Sequence, residues 1–150
     1  MNAYTLGGSQ LGGYLAGASI NLPTSGTANF SGTYSGEMFA PFGGIYVNGD
    51  VTLATNFSSS SFSGDISNRS FFAQSGIDNA LLAKDISLTG SINSSGYLSG
   101  FALNSTAFGT VDAIIFGSAA GAVGIIAIDQ NNFLFGVPTN IPETGTFSVN

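Results

Sequence analysis

Residues able to carry chemistry are few in this chain, and several types are missing altogether. There is no histidine and no cysteine, which removes His-based general bases, Ser-His-Asp triads, thiolate nucleophiles, disulfides and the usual zinc ligands in their standard forms. Haem could still be held through Tyr or Met, and the inventory is Tyr4, Tyr14, Tyr34, Tyr46, Tyr97, Met1 and Met38. Tyr34 and Met38 share the phase of neighbouring apolar residues and read as core rather than as axial ligands. Eight carboxylates could supply a glycosidase-type acid and base. Asp65 and Asp85 fall on the polar phase, however, and Asp50, Asp112 and Asp129 at expected strand ends, where carboxylates serve solubility and keep sheet edges from pairing. Residues 129–132, DQNN, have oxygen-bearing side chains but no EF-hand spacing, and read as a hairpin turn. The Asn-x-Ser/Thr triplets at Asn29, Asn56, Asn68, Asn93 and Asn104 are expected by chance in a chain this rich in Asn, Ser and Thr. These residues imply no enzyme activity, no obligatory cofactor and no metal site.

Composition narrows the class further. Only 7% of the 150 residues are charged, against about 25% in an ordinary soluble domain. Ser, Thr, Asn and 22 Gly hydrate the surface instead, a composition suited to strands and to an extracellular or cell-surface location. Two basic residues, Arg69 and Lys84, stand against eight acidic ones for a net charge of −6, which repels nucleic acid and anionic lipid. The N-terminal MNAYTLGGSQLGGYLAGAS lacks the cationic and continuous apolar regions of a secretory signal, so export implies another route or a leader already removed. Residues 113–128, AIIFGSAAGAVGIIAI, carry no charge but fall short of the roughly 20 residues a membrane helix needs. Their Gly, Ser and β-branched content reads as two strands around a turn.

The elements that must position these residues follow period two, which sends alternate side chains to opposite faces of a strand. Ala28, Phe30, Gly32, Tyr34, Gly36 and Met38 share one face of the first strand. Val51, Leu53, Thr55 and Phe57 form the inner set of a second, and Phe62, Gly64 and Ile66 that of a third beyond a serine turn. Ile86, Leu88, Gly90 and Ile92 repeat the pattern, and NSSG at 93–96 turns the chain into YLSGFALNS. Strands at 113–116 and 124–128 follow, and FLFGV, ending at Pro138, is the last. Eight short strands with large and small inner residues alternating predict an all-β fold, a single eight-stranded antiparallel barrel filled by side chains, with an inner Gly making room for an aromatic opposite. Residues 76–83, GIDNALLA, are the only helical stretch and read as a connector. The expected organisation is an N-terminal extended segment over 1–26, the barrel over 27–138 and a C-terminal segment over 139–150.

LPTSGTANFSGTYSG (22–36), NGDVTLATNFSSSSFSGDISNR (48–69), DISLTGSINSSGYLSGFALN (85–104) and IIFGSAAGAVGIIAI (114–128) together resemble the β-barrel module of bacterial transferrin-binding protein B. The same stretch is similar to parts of the factor-H-binding surface lipoproteins and hemophilin-type haem scavengers. This resemblance, over 22–137, implies an eight-stranded barrel, export, and binding of a host protein or ligand through variable loops. It transfers no binding residues. The larger members carry a handle-like second domain and a lipidated cysteine that this sequence lacks.

The two ends share one scheme, NLPTSGTANFSG and NIPETGTFSVN. Tail strands of this kind could pair with the edge of another copy, and a head-to-tail contact makes filaments unless its rotation closes. Tyr4, Leu6, Leu11, Tyr14 and Leu15 at one end, and Ile141, Phe147 and Val149 at the other, are the expected self-association residues. Two functions follow: a surface barrel that binds a protein or small ligand, or a subunit of an extracellular fibre whose partner is another copy. The first predicts a concentrated apolar or aromatic loop patch.

Overall fold

The computed structural model describes residues 21–117 and 119–150. Eight strands follow in order: β1 (Thr27–Ala40), β2 (Gly43–Asn56), β3 (Ser61–Phe71), β4 (Ile86–Ile92), β5 (Tyr97–Leu103), β6 (Ala107–Phe116), β7 (Gly121–Leu134) and β8 (Val137–Val149). A single turn of helix, α1 (Asn79–Leu82), lies between β3 and β4. Each strand pairs antiparallel with the next, and β8 returns to β1, closing the barrel. The up-and-down order gathers the β1–β2, β3–β4, β5–β6 and β7–β8 connections at one end, called upper here. The β2–β3, β4–β5 and β6–β7 turns lie at the lower end with Asn150.

Alternation drives the closure. Phe30, Tyr34, Met38, Val51, Leu53, Phe62, Ile66, Leu88, Leu98, Val111, Ile126 and Phe147 point inward and are buried together, while the intervening Ser, Thr and Asn residues face water. Small inner residues make the space that large ones fill. Tyr34 lies across Gly36 and Gly145, where a β-carbon on either glycine would collide with its phenol, and Gly124 does the same for Phe147.

The expectation for the C-terminal third differs from the structure. DQNN is not a turn: 129–132 lie inside β7, which runs on to a tight turn at Phe135 and Gly136, both at positive φ. Asp50, Asp112 and Asp129 likewise lie within strands rather than at their ends. Nor is 139–150 a separate segment. Residues 139–149 belong to β8, which pairs with β7 along its whole length and with β1 over Glu143–Val149. Pro138 does not end a strand, because the Val137–Pro142 stretch of β8 has a neighbour on one side only. Pro138 and Pro142 share a phase, so their missing N–H groups can face the open side, where no partner is needed.

Candidate functional site

The upper end is built on a buried polar cluster. In β3 the register against β2 shifts, with Asn48 opposite Ser70 but Asp50 opposite Ser67. Gly49 therefore faces two residues, Asn68 and Arg69. Asn68 takes φ 51°, a left-handed geometry that Asn tolerates better than most residues, and this β-bulge turns Arg69 into the barrel. There Arg69 Nη2 meets Glu143 Oε2 of β8 at 2.5 Å, Gln130 Nε2 of β7 donates to the same oxygen, and Tyr34 Oη donates to Glu143 Oε1 at 2.7 Å. Burial, and then the Glu143 charge and hydrogen bond, hold the Tyr34 phenol protonated well above the ordinary tyrosine range. Arg69 Nε and Gln130 Oε1 are buried without partners.

The same groups fix the β3–β4 connector over the upper mouth. Arg69 Nη1 donates to the Lys84 carbonyl at 3.2 Å. Asn132 of β7 clasps Asp78 with both ends of its amide, accepting from the Asp78 N–H at 3.0 Å and donating to its carbonyl at 3.1 Å. Asp78 in turn caps α1, accepting from the N–H groups of Ala80 and Leu81. Ile77 and Leu82 are buried in the core beneath.

On this braced end stand the exposed aromatics. Among the described residues, all ten exposed large hydrophobics lie in or toward the upper half: Phe39, Phe42, Tyr46, Phe72, Phe101, Leu103, Phe108, Phe133, Phe135 and Val137. Three sit on connections, with Phe42 61%, Phe72 86% and Phe135 71% exposed. Phe42 and Phe135 meet edge to face at 6.3 Å, linking the β1–β2 and β7–β8 turns. The Val47 to Phe71 register brings Phe72 to the position beside Tyr46. Down the flank, Phe101 and Phe108 lie 5.7 Å apart.

Carboxylates border this end too. The Glu37 carboxylate lies over Gly44 of the β1–β2 hairpin, Asp78 and Asp85 flank α1, and Asp129 pairs across from Phe108. Among the described residues, Lys84 is the one cation whose side chain is not fully buried, and its Nζ donates to Ser105 Oγ at 2.8 Å.

The eight residues expected for self-association divide. Tyr4, Leu6, Leu11, Tyr14 and Leu15 lie outside the described residues. Ile141, Phe147 and Val149 do not form a free tail; they are inward-facing residues of β8, buried in the barrel, because their period-two phase matches the core of β1 and β7. The tyrosines considered as haem ligands also separate. Tyr34 is buried against Glu143 and Tyr46 is exposed. Tyr97 donates to Asp112 at 2.6 Å, and this hydrogen bond, with lesser burial, pushes its phenol up to about 12. Tyr4 and Tyr14 lie outside the described residues. Among those described, no group of three or more His, Cys, Asp or Glu could hold a metal, and no helix is long and apolar enough to cross a membrane.

Sequence reasoning missed the aromatic end. The usable signal was aromatics on the polar phase of strands: Phe39 beside Met38, Tyr46 between Ile45 and Val47, Phe101 beside Ala102.

No protein-family model matches the chain, and no curated protein matches it. Among solved structures it is similar to a vaccine-antigen form of transferrin-binding protein B from Haemophilus parasuis, with 8% identity and a TM-score of 0.51. The match covers 86% of this chain and 28% of that one. The likeness supports a barrel fold of that kind.

Proposed function

We propose that the protein is a non-catalytic, extracellular or cell-surface barrel that binds a protein partner through its upper end. One observation carries this reading: the exposed large hydrophobics are concentrated at the end whose loops are braced from below. Phe42 and Phe135, in edge-to-face contact, leave on the order of 250 Å² of aromatic surface in water, and Phe72 adds a third exposed ring at the same end; exposed apolar surface of this kind often marks an interaction site. Side chains from all eight strands fill the barrel, so a surface site suits a partner better than a lumen site suits a small ligand. Rigid aromatics on a fixed frame are the usual anchors of an interface, since little side-chain freedom is lost on binding. Fold similarity to a transferrin-binding protein is consistent with a bacterial surface location, by analogy alone.

The fibre reading has less support. Its C-terminal strand is part of the barrel wall, and Pro138 and Pro142 blunt the open upper edge of β8.

A photo-crosslinking side chain placed in turn at Phe42, Phe135, Ser59 and Ser94, in protein displayed by the producing cells, tests the proposal. A discrete adduct from the first two positions and none from the lower-end serines is expected. Equal labelling from both ends, or none from either, would overturn it.

A further inference from the structure

We infer, building on the proposed upper-end docking, that the partner is a protein surface with an apolar cleft bordered by lysine or arginine: the phenylalanines fill the cleft and the carboxylates around them meet its cations. The argument is one of charge complementarity. The upper half carries Glu37, Asp78, Asp85 and Asp129 around or below the aromatic patch. It offers Lys84 alone in return, already donating to Ser105 Oγ, while the other cation of the chain, Arg69, is buried against Glu143.

Several other occupants fit this arrangement poorly. A second copy docking its own upper end would set these carboxylates against their equivalents, since a two-fold contact brings the same patch to both sides, and each copy carries −6 overall. Anionic membrane and nucleic acid are repelled for the same reason. An apolar cleft without cations would leave the carboxylates facing neutral surface, desolvated for no gain. A cationic rim instead draws the partner in over about a Debye length, and the phenylalanines then set how long it stays.

The test uses a fluorescent peptide of alternating leucine and lysine, its leucine and glutamate counterpart, and an oligolysine, followed by anisotropy against the full chain. The leucine-lysine peptide should bind roughly tenfold or more tighter than either control, weaken several-fold between about 50 and about 300 mM salt, and weaken several-fold with Asp85→Asn plus Asp129→Asn. Phe72→Ser with Phe135→Ser, shown folded by circular dichroism, should cost it roughly tenfold. Equal binding to that double variant would overturn the inference, since the attraction would then be to acidic surface in general. Equal binding of the glutamate peptide would do so too. A wild-type dimer in sedimentation that the double variant abolishes would assign the end to a second copy instead, and binding to phosphatidylcholine vesicles would assign it to a membrane. Upper-end crosslinks without preference for the cationic peptide would overturn the partner chemistry while leaving the docking end in place.

Discussion

Glu143 is 0% exposed and accepts from Arg69, Gln130 and Tyr34, three groups brought in by β3, β7 and β1. A buried carboxylate is costly to desolvate and persists only where charge and donors meet it. Here its cation is the more exposed to loss, because Arg69 Nε lacks any partner and, among the described residues, Glu143 alone forms an ion pair with the guanidinium. Glu143→Gln keeps the volume and removes the charge, leaving Arg69 buried and unpaired, and should destabilise the fold by about 3–5 kcal/mol in urea unfolding. Adding Arg69→Met should recover much of that loss, since it takes the unpaired charge out of the interior. A cost under about 1 kcal/mol for Glu143→Gln would mean that water reaches the pair.

At the scale of elements, the bulge in β3 decides where Arg69 goes. Two residues opposite Gly49 reverse the phase of β3 after Ile66, so Arg69, three positions on, is buried. Asn68 holds the bulge at φ 51° and ties it to β2 by donating to Asp50 Oδ2 at 2.7 Å. Asn68→Gly should change stability by no more than about 0.5 kcal/mol, because glycine adopts this conformation freely. Asn68→Val should cost about 1–3 kcal/mol, as a β-branched residue is strained there; thermal unfolding of the two variants checks the difference. The first three strands and the hairpin of β4 and β5 were legible because their inner residues are apolar and their turns are Ser, Asn and Gly. The end of β7 was not, for an equally physical reason. Gln130, Asn132 and Glu143 put polar side chains on the inner phase to hold the buried cluster, and Phe135 makes the turn at φ 48°, a residue no turn rule favours. Aromatics needed outside and polar groups needed inside invert the pattern where the proposed site is built.

For the whole molecule, closure rests on β8. Its Glu143–Val149 half joins β1 to β7, so the residues read as a tail are the seam of the barrel. Ending the chain after Pro138 would remove Ile141, Phe147 and Val149 from the core, strip Arg69 of its counter-charge, and leave β1 and β7 as two open edges. Unlike a lost tail, that damage is shared by every layer of the interior, since a closed barrel has no independent half to fall back on. The shortened chain should therefore lose its cooperative thermal transition, bind a hydrophobic dye and aggregate through the unpaired edges. Retention of a cooperative transition within a few degrees of the full chain would mean that 139–150 is dispensable to the fold, and would return Ile141, Phe147 and Val149 to the surface as candidates for contact with another copy.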